Sequence, residues 1–407
     1  MNKNQQTKNF IWNMIGLTFN SFNSFFFLII VKRINGIDTA GIFTYGFAIA
    51  CLFWGISMYY NRTFQVSSLK INDNTFKRFR LLSCIAMFLI TILFVLISGF
   101  SLIKLWTVIL LCLFRNLEAL SDTYYGIIHK NERLDYVGKS LFLKAIIGLG
   151  VFLIIDLISK NIILSIIGMI LVNLLGLLVD IKTSKKYVQK DNIVEKKNLV
   201  KILKDTFPIF IFSFLSVLLL NMQKYMIGYI SLDSIQTIFG IIVMPATIMA
   251  LCGQYLINPF LNSMTKNYND KKITSLKKQV RNISLTILGL GVFIIIVAYF
   301  LCVPVLNIVY DIDLVKYKYL ILLILFASIL YSVSTIYSAC LTIIKRNKEQ
   351  LYLYVISVIV SLGISFLLID KTSVSGATYA YSISMIIHAI LYYVLYKYSI
   401  NKLDNKE

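Results

Sequence analysis

Apolar runs, each close to the length needed to cross a bilayer, organise this chain. They fall at roughly 10–31, 40–60, 79–100, 103–128, 138–158, 161–181, 206–230, 235–262, 282–302, 319–344, 350–369 and 373–397. A helix rises about 1.5 Å per residue, so about 20 apolar residues span a hydrocarbon core about 30 Å thick. The pattern predicts an all-α integral membrane protein of twelve transmembrane helices. An even count puts both termini on one side. The longest connection, KTSKKYVQKDNIVEKKNLVKILKD, divides the chain into two six-helix bundles, residues 1–181 and 206–407. In this basic linker (182–205), Ile193, Val194, Lys197, Val200 and Lys201 recur at helical spacing, so part of it is expected to lie on the membrane surface.

The fourth run breaks the apolar rule. After LIKLWTVILLCLF the chain reads RNLEALSDTYYGIIHKNERLDYVGKS, placing Arg115, Glu118 and Asp122 in a bilayer span. Each such charge costs about 2.5–3.5 kcal/mol at a helix centre even on the lenient insertion scale. Positions 115, 118, 122, 126, 129 and 133 share one helical face, so Arg115, Glu118, Asp122, Gly126, His129 and Arg133 form a stripe that must avoid lipid. Two readings stay open. Arg115 and Glu118, three residues apart, can neutralise each other locally, or the stripe lines a substrate path. Asp122 has no cation of its own helix, unless Lys144 on the adjoining span supplies one.

Other spans carry related features. Asn9, Asn13, Gly16, Asn20 and Asn23 line one face of the first, Gln254, Asn258 and Asn262 one face of the eighth, and Asn221, Gln223 and Lys224 sit in the seventh. Single amides between spans are usually helix glue worth about 0.6 kcal/mol. Together, Asn13, Asn20, Asn221, Gln254 and Asn258 describe a hydrated centre. His388 in the last span reads as an interhelical histidine. Arg62, at the inner end of the second span, either snorkels to lipid phosphate or reaches into the cavity. Arg62, Arg115, Lys144 and Lys224 then face two clear intramembrane acids, Glu118 and Asp122, a balance that suits an anionic substrate.

Composition agrees. Of 407 residues 58% are hydrophobic and 14% charged, against about 25% charged in soluble domains. The net charge of +21 raises the question of nucleic acid. Its location answers it: 30 Lys and Arg fall on the side of the termini, seven on the other and three within spans. That is the positive-inside pattern with both termini cytoplasmic, and no nucleic-acid role is expected. The six cysteines are scattered singly through apolar runs, with no metal or disulfide spacing. The N-terminal run lacks a small-residue cleavage site and reads as a retained span.

The halves resemble each other locally. GIIHKNERLDYVGKS (126–140) lies against TIIKRNKEQLYLYVIS (342–357), with Asn131 on Asn347. At that offset Arg115, Glu118 and Asp122 fall on Tyr331, Ser334 and Ser338, so the second half keeps the helix and drops the charges. Repeated halves with substrate bound between them are a transporter pattern. No P-loop, metal cluster, catalytic set or large external loop appears. Catalytic residues, cofactors and metals are therefore not expected, and the chain is read as a non-enzyme.

The segment R-x-x-E-x-x-x-D-x-x-Y-G-x-x-x-K-x-E-R-x-D-x-x-G-K-S from Arg115 to Ser140 resembles bacterial oligosaccharide and polysaccharide flippases. These capsule repeat-unit transporters belong to the multidrug/oligosaccharidyl-lipid/polysaccharide exporter superfamily. N-x-x-W-N-x-x-G at 9–16 is similar too. The resemblance implies a V-shaped pair of bundles around a central cavity open alternately to each side. It implies transfer of an undecaprenyl-pyrophosphate-linked oligosaccharide to the outer leaflet of the bacterial cytoplasmic membrane. A cationic cavity is also implied, matching Arg62, Arg115, Lys144 and Lys224, with Glu118 and Asp122 as candidates for ion coupling. Membrane lipids, a polysaccharide polymerase and other assembly proteins are the implied partners. The competing readings are a cation-coupled multidrug exporter of the same superfamily and a membrane polysaccharide polymerase or ligase.

Overall fold

The computed structural model describes residues 3–60, 62–68, 71–187, 196–370 and 373–404, and every regular element among them is helical. The chain divides into two compact units, Met1–Val217 and Leu218–Glu407. The first holds α1 (Lys3–Asn35), α2 (Ile37–Met58), a short α3 (Arg62–Ser67), α4 (Asp73–Ser98), α5 (Leu102–Lys130), α6 (Leu134–Ser159), α7 (Ile162–Ser184) and the start of α8 (Lys196–Ile230).

Local chemistry sets these boundaries. The Asn72 side chain accepts the Thr75 N–H at 2.8 Å and caps α4, while Asn161 caps α7 through the Ile163 and Leu164 amides. Gly99 ends α4 at φ 62°, a left-handed conformation that costs glycine nothing. Within the unit, α5 packs against α2, α4 and α7, and α1 lies along α6. That last contact is backbone on backbone. A Cβ on Gly16 would run into Gly138, and one on Gly138 into the Trp12 carbonyl. Small residues at a helix crossing allow this approach. Asn9 then donates to the Glu132 carbonyl at 2.7 Å and accepts the Asp135 N–H at 3.1 Å, satisfying an orphan amide at the start of α6.

The basic linker is partly helical. Residues 196–205 form the opening turns of α8, where Ile202 is buried with Tyr60, Phe76 and Phe79 and Leu199 packs beside them. Ile193 and Val194 lie outside the described residues.

The second unit holds the rest of α8, then α9 (Asp233–Ile242), α10 (Met244–Ile257), a 3-10 turn at Asn258–Phe260, α11 (Leu261–Asn269), α12 (Ile273–Tyr310), α13 (Lys318–Ile343), α14 (Asn347–Leu368) and α15 (Val374–Asp404). The run 235–262, expected as one span, is interrupted at Val243 between α9 and α10, although Asp233–Gly253 still counts as one candidate span. Pro245 has no N–H for the Ile241 carbonyl, so the chain restarts with proline in the tolerant first turn of α10. Here α13 packs against α10, α12 and α15, as α5 does against α2, α4 and α7.

Eleven helices among the described residues are long and apolar enough to cross a membrane. The exception is α5. At 29 residues it is long enough, but Lys104, Arg115, Glu118 and Asp122 make it too charged to pass on apolarity alone. The chain is a multi-pass membrane protein.

The internal repeat is visible in a turn, with a corrected register. Glu132 (φ 58°) and Lys345 (φ 62°) each follow a helix in left-handed conformation. In both turns the next amide reaches back, Arg133 to the Ile128 carbonyl and Arg346 to that of Leu341. This pairs Glu132 with Lys345 and shifts the sequence alignment by three residues. Arg115, Glu118 and Asp122 therefore stand opposite Ser328, Tyr331 and Thr335. The second half is still uncharged at these positions.

Candidate functional site

Because α5 is buried among its neighbours, its charged face meets other helices instead of lipid. Asp122 faces two arginines. Arg62, at the start of α3, donates to Asp122 Oδ1 from Nε (3.0 Å) and Nη2 (2.6 Å), and its guanidinium lies 5.3 Å from the Tyr125 ring centre. Arg62 is thus paired with Asp122 and is among the residues lining a cavity of the first unit. Arg80 of α4 comes from the other side, with Nη2 at 3.6 Å from Asp122 Oδ2. Its side chain is fully buried. It donates to the Thr123 hydroxyl (3.0 Å) and to the Ser57 and Tyr60 carbonyls, and stacks on the Tyr60 ring at 4.0 Å.

Lys144 of α6 reaches a different acid. Its ammonium lies 2.5 Å from Asp180 Oδ2 on α7, 2.8 Å from the Ser121 hydroxyl and 3.1 Å from the Tyr125 hydroxyl. Ser140 donates to the other Asp180 oxygen at 2.6 Å and lies 3.0 Å from Tyr125, closing a ring of hydrogen bonds. The lysine stem crosses α7 over Gly176, where a Cβ would collide with it. Lys144, one possible counter-charge for Asp122, pairs with Asp180 instead.

Arg115 and Glu118 form the local pair, N to O 2.5 Å, with Arg115 also donating to the Cys51 sulfur at 3.2 Å. The guanidinium is boxed by Phe47, Trp54 and Phe114. The stripe does not run on to Arg133. Helix α5 ends at Lys130, and Arg133, the residue before α6, pairs with Asp135 in the first turn of α6.

Five of the expected site residues, Asn20, Arg62, Glu118, Asp122 and Lys144, line a single cavity of about 130 Å³. Asn13 lies on α1, with a buried carbonyl oxygen lacking a hydrogen-bond partner among the described residues. Asn221 and Lys224 are half-buried on α8 in the second unit. Gln254 ends within α10 and Asn258 in the 3-10 turn, but their side chains lie outside the described residues.

Sequence reasoning missed Arg80 and Asp180. Arg80 falls at the very start of the run 79–100, beside the basic Lys77 and Arg78, and Asp180 falls next to the last position of the run 161–181. A heptad signal existed: Asn173 and Asp180 share the face of α7 that meets α6. With these two included, the cluster around the cavity holds Arg62, Arg80, Arg115 and Lys144 against Glu118, Asp122 and Asp180, while Asp73, Asp135 and Asp156 are buried elsewhere in the first unit. Within that cluster the excess is one cation, smaller than four against two.

The second unit builds the related place from neutral groups. On the turn-based register Ser357 replaces Lys144, and it bonds His388 Nδ1 at 2.9 Å. The rings of Tyr331, Tyr354 and Tyr392 surround that histidine. No group of three or more His, Cys, Asp or Glu able to hold a metal occurs among the described residues.

No family model matches the chain. It is 26% identical over 402 residues to the capsular polysaccharide biosynthesis protein CapF of Staphylococcus aureus, covering 96% of this chain and 99% of that protein. Its fold is similar to a multidrug resistance MATE family transporter of the MOP superfamily in an inward-facing conformation (TM-score 0.65, 11% identity, 97% of this chain and 99% of that one). It is also similar to the lipid II flippase MurJ in an inward closed conformation (TM-score 0.74, 15% identity, 95% and 87%). Those two are a transporter and a flippase rather than enzymes, in keeping with the non-enzyme reading of this sequence. The resemblance read from Arg115–Ser140 is borne out: the chain is a multi-pass membrane protein with the fold of the MOP superfamily, related along nearly its whole length to a capsular polysaccharide biosynthesis protein.

Proposed function

We propose that this protein is a flippase. It moves undecaprenyl-pyrophosphate-linked oligosaccharide repeat units from the inner to the outer leaflet for capsular or other surface polysaccharide. The observation that carries the reading is the buried cluster of Arg62, Arg80, Arg115 and Lys144, in excess over its acids and gathered partly around one cavity. A diphosphate leaving water loses a hydration shell worth many kcal/mol, and fixed cations replace part of it. The sugars need only hydroxyl and amide partners, for which Asn13, Asn20, Asn221, Gln254 and Asn258 are suited. The polyprenyl tail stays in lipid. No bond is made or broken, so no catalytic set is required.

In this reading α5 is a twelfth span, both termini are cytoplasmic, and Lys224 contributes from the second half. The halves form a V-shaped cavity that opens to each leaflet in turn. A polymerase and other assembly proteins take the product onward. Reconstituted vesicles carrying labelled lipid-linked oligosaccharide test this: the label should change leaflet while the glycan keeps its length. A product of altered length would sink the flippase in favour of a polymerase or ligase.

The multidrug-exporter reading has the MATE-like fold in its favour. Against it, Glu118, Asp122 and Asp180 are each engaged by arginine or lysine, leaving a cationic drug no unpaired carboxylate among the described residues that line the first unit's cavity. Efflux of a cationic dye without lipid transfer would reverse this choice.

A further inference from the structure

The Arg62–Asp122–Arg80 arrangement is asymmetric in a way that assigns different jobs to the two arginines. Both hydrogen bonds to the carboxylate come from Arg62 and end on Oδ1. Oδ2 has no hydrogen-bond partner among the described residues. Arg80 stands 3.6 Å from it, close enough for charge attraction but too long for a hydrogen bond. Arg80 donates from Nε, Nη1 and Nη2 to Thr123, Ser57 and Tyr60, all neutral oxygens on the elements around it. These bonds fix its position but leave its charge without any other acid within ion-pair range among the described residues. Arg62 differs: its side chain is 21% exposed against 0% for Arg80, and it borders the cavity. One carboxylate thus serves two cations, of which one is fully buried and one is at the cavity wall.

We propose that Arg80 is a positioning residue, a standing counter-ion that neutralises Asp122 so that Arg62 can leave it for an incoming anion. This rests on the flippase reading and names, within that site, which cation is exchangeable. Without Arg80, releasing Arg62 would strand a buried carboxylate, and Asp122 would outcompete the diphosphate for it. With Arg80 present, the triad carries one net positive charge whether Arg62 points at Asp122 or at the ligand. Arg80 itself never touches substrate.

The consequence is a reversal between single and double variants that mere support of the fold does not produce. The full-length protein in nanodiscs is titrated with farnesyl diphosphate as the probe. R80Q should weaken binding on the order of tenfold, the loss expected when Asp122 claims Arg62 alone. Adding D122N to R80Q should restore most of that loss, because Arg62 is then free. R80K, which keeps the charge, should bind better than R80Q. If R80Q does not fold, D122N alone decides: with Arg62 released, it should bind the probe more tightly than the wild type. A double variant no better than R80Q, or a D122N no tighter than the wild type, overturns the counter-ion role while leaving the flippase reading in place. A wild type that binds no farnesyl diphosphate overturns both.

Discussion

Lys144 and Asp180 meet across α6 and α7 at 2.5 Å, with the lysine stem laid over Gly176 and each charged group further held by hydroxyls. The pair is nearly closed to solvent, at 10% and 4% side-chain exposure. Removing one partner therefore strands the other. K144M should cost about 3–5 kcal/mol, the usual penalty for an orphaned buried charge. K144M/D180N should recover much of that in thermal unfolding of the purified protein. Equal melting of single and double variants would mean that the pair contributes nothing specific.

The Arg115–Glu118 pair tests whether charge alone matters. Arg115 sits 4.6 Å from the Phe47 ring centre and 5.3 Å from that of Trp54, faces that attract a cation and repel a carboxylate. The swap R115E/E118R keeps the pair but puts the acid in the aromatic box. It should transport markedly less than wild type, at comparable protein level. Full activity of the swap would reduce Arg115 to a partner for Glu118.

At the α1–α6 crossing no side chain fits. G138V should destabilise by about 2 kcal/mol or more, because backbone on both helices must move. G150V, on the same helix with open space at its Cβ, is the control and should melt within about 0.5 kcal/mol of wild type. Similar losses at the two sites would argue against the close crossing.

If α5 spans the bilayer, its ends lie on opposite sides. In a background without native cysteines, S101C should react with a membrane-impermeant maleimide from outside. N131C should react only after permeabilisation. Labelling of both from one side would remove the twelfth span.

The sequence made the helices legible because bilayer spans need long apolar runs, and it made the charged face of α5 legible because charge at that depth is costly. Partners across helices were harder. Arg80 follows Lys77 and Arg78, so a count of loop charge absorbs it, although the fold turns it inward between Ser57 and Tyr60. Asp180 sits at a span end, where an acid can equally face water. Side-chain reach of several ångströms decides both cases, and spacing along one chain does not encode it. The repeat register failed for a related reason: matching Asn131 to Asn347 follows letters, whereas the left-handed turn residues Glu132 and Lys345 share no chemistry.

Sequence separation within the charged network also has a consequence for biogenesis. Arg62 and Arg80 are synthesised before Asp122, so α5 leaves the ribosome with counter-charges for its acid already in place, and its Arg115–Glu118 pair is self-contained. Lys144 has the opposite history, since its carboxylate follows 36 residues later. At about 5–20 residues per second the ammonium waits roughly 2–7 s for Asp180. During that interval α6 carries the Lys144 ammonium without the acid it pairs with in the folded protein. Its retention at the insertion machinery until α7 emerges would make the two helices enter the membrane as a hairpin rather than one at a time.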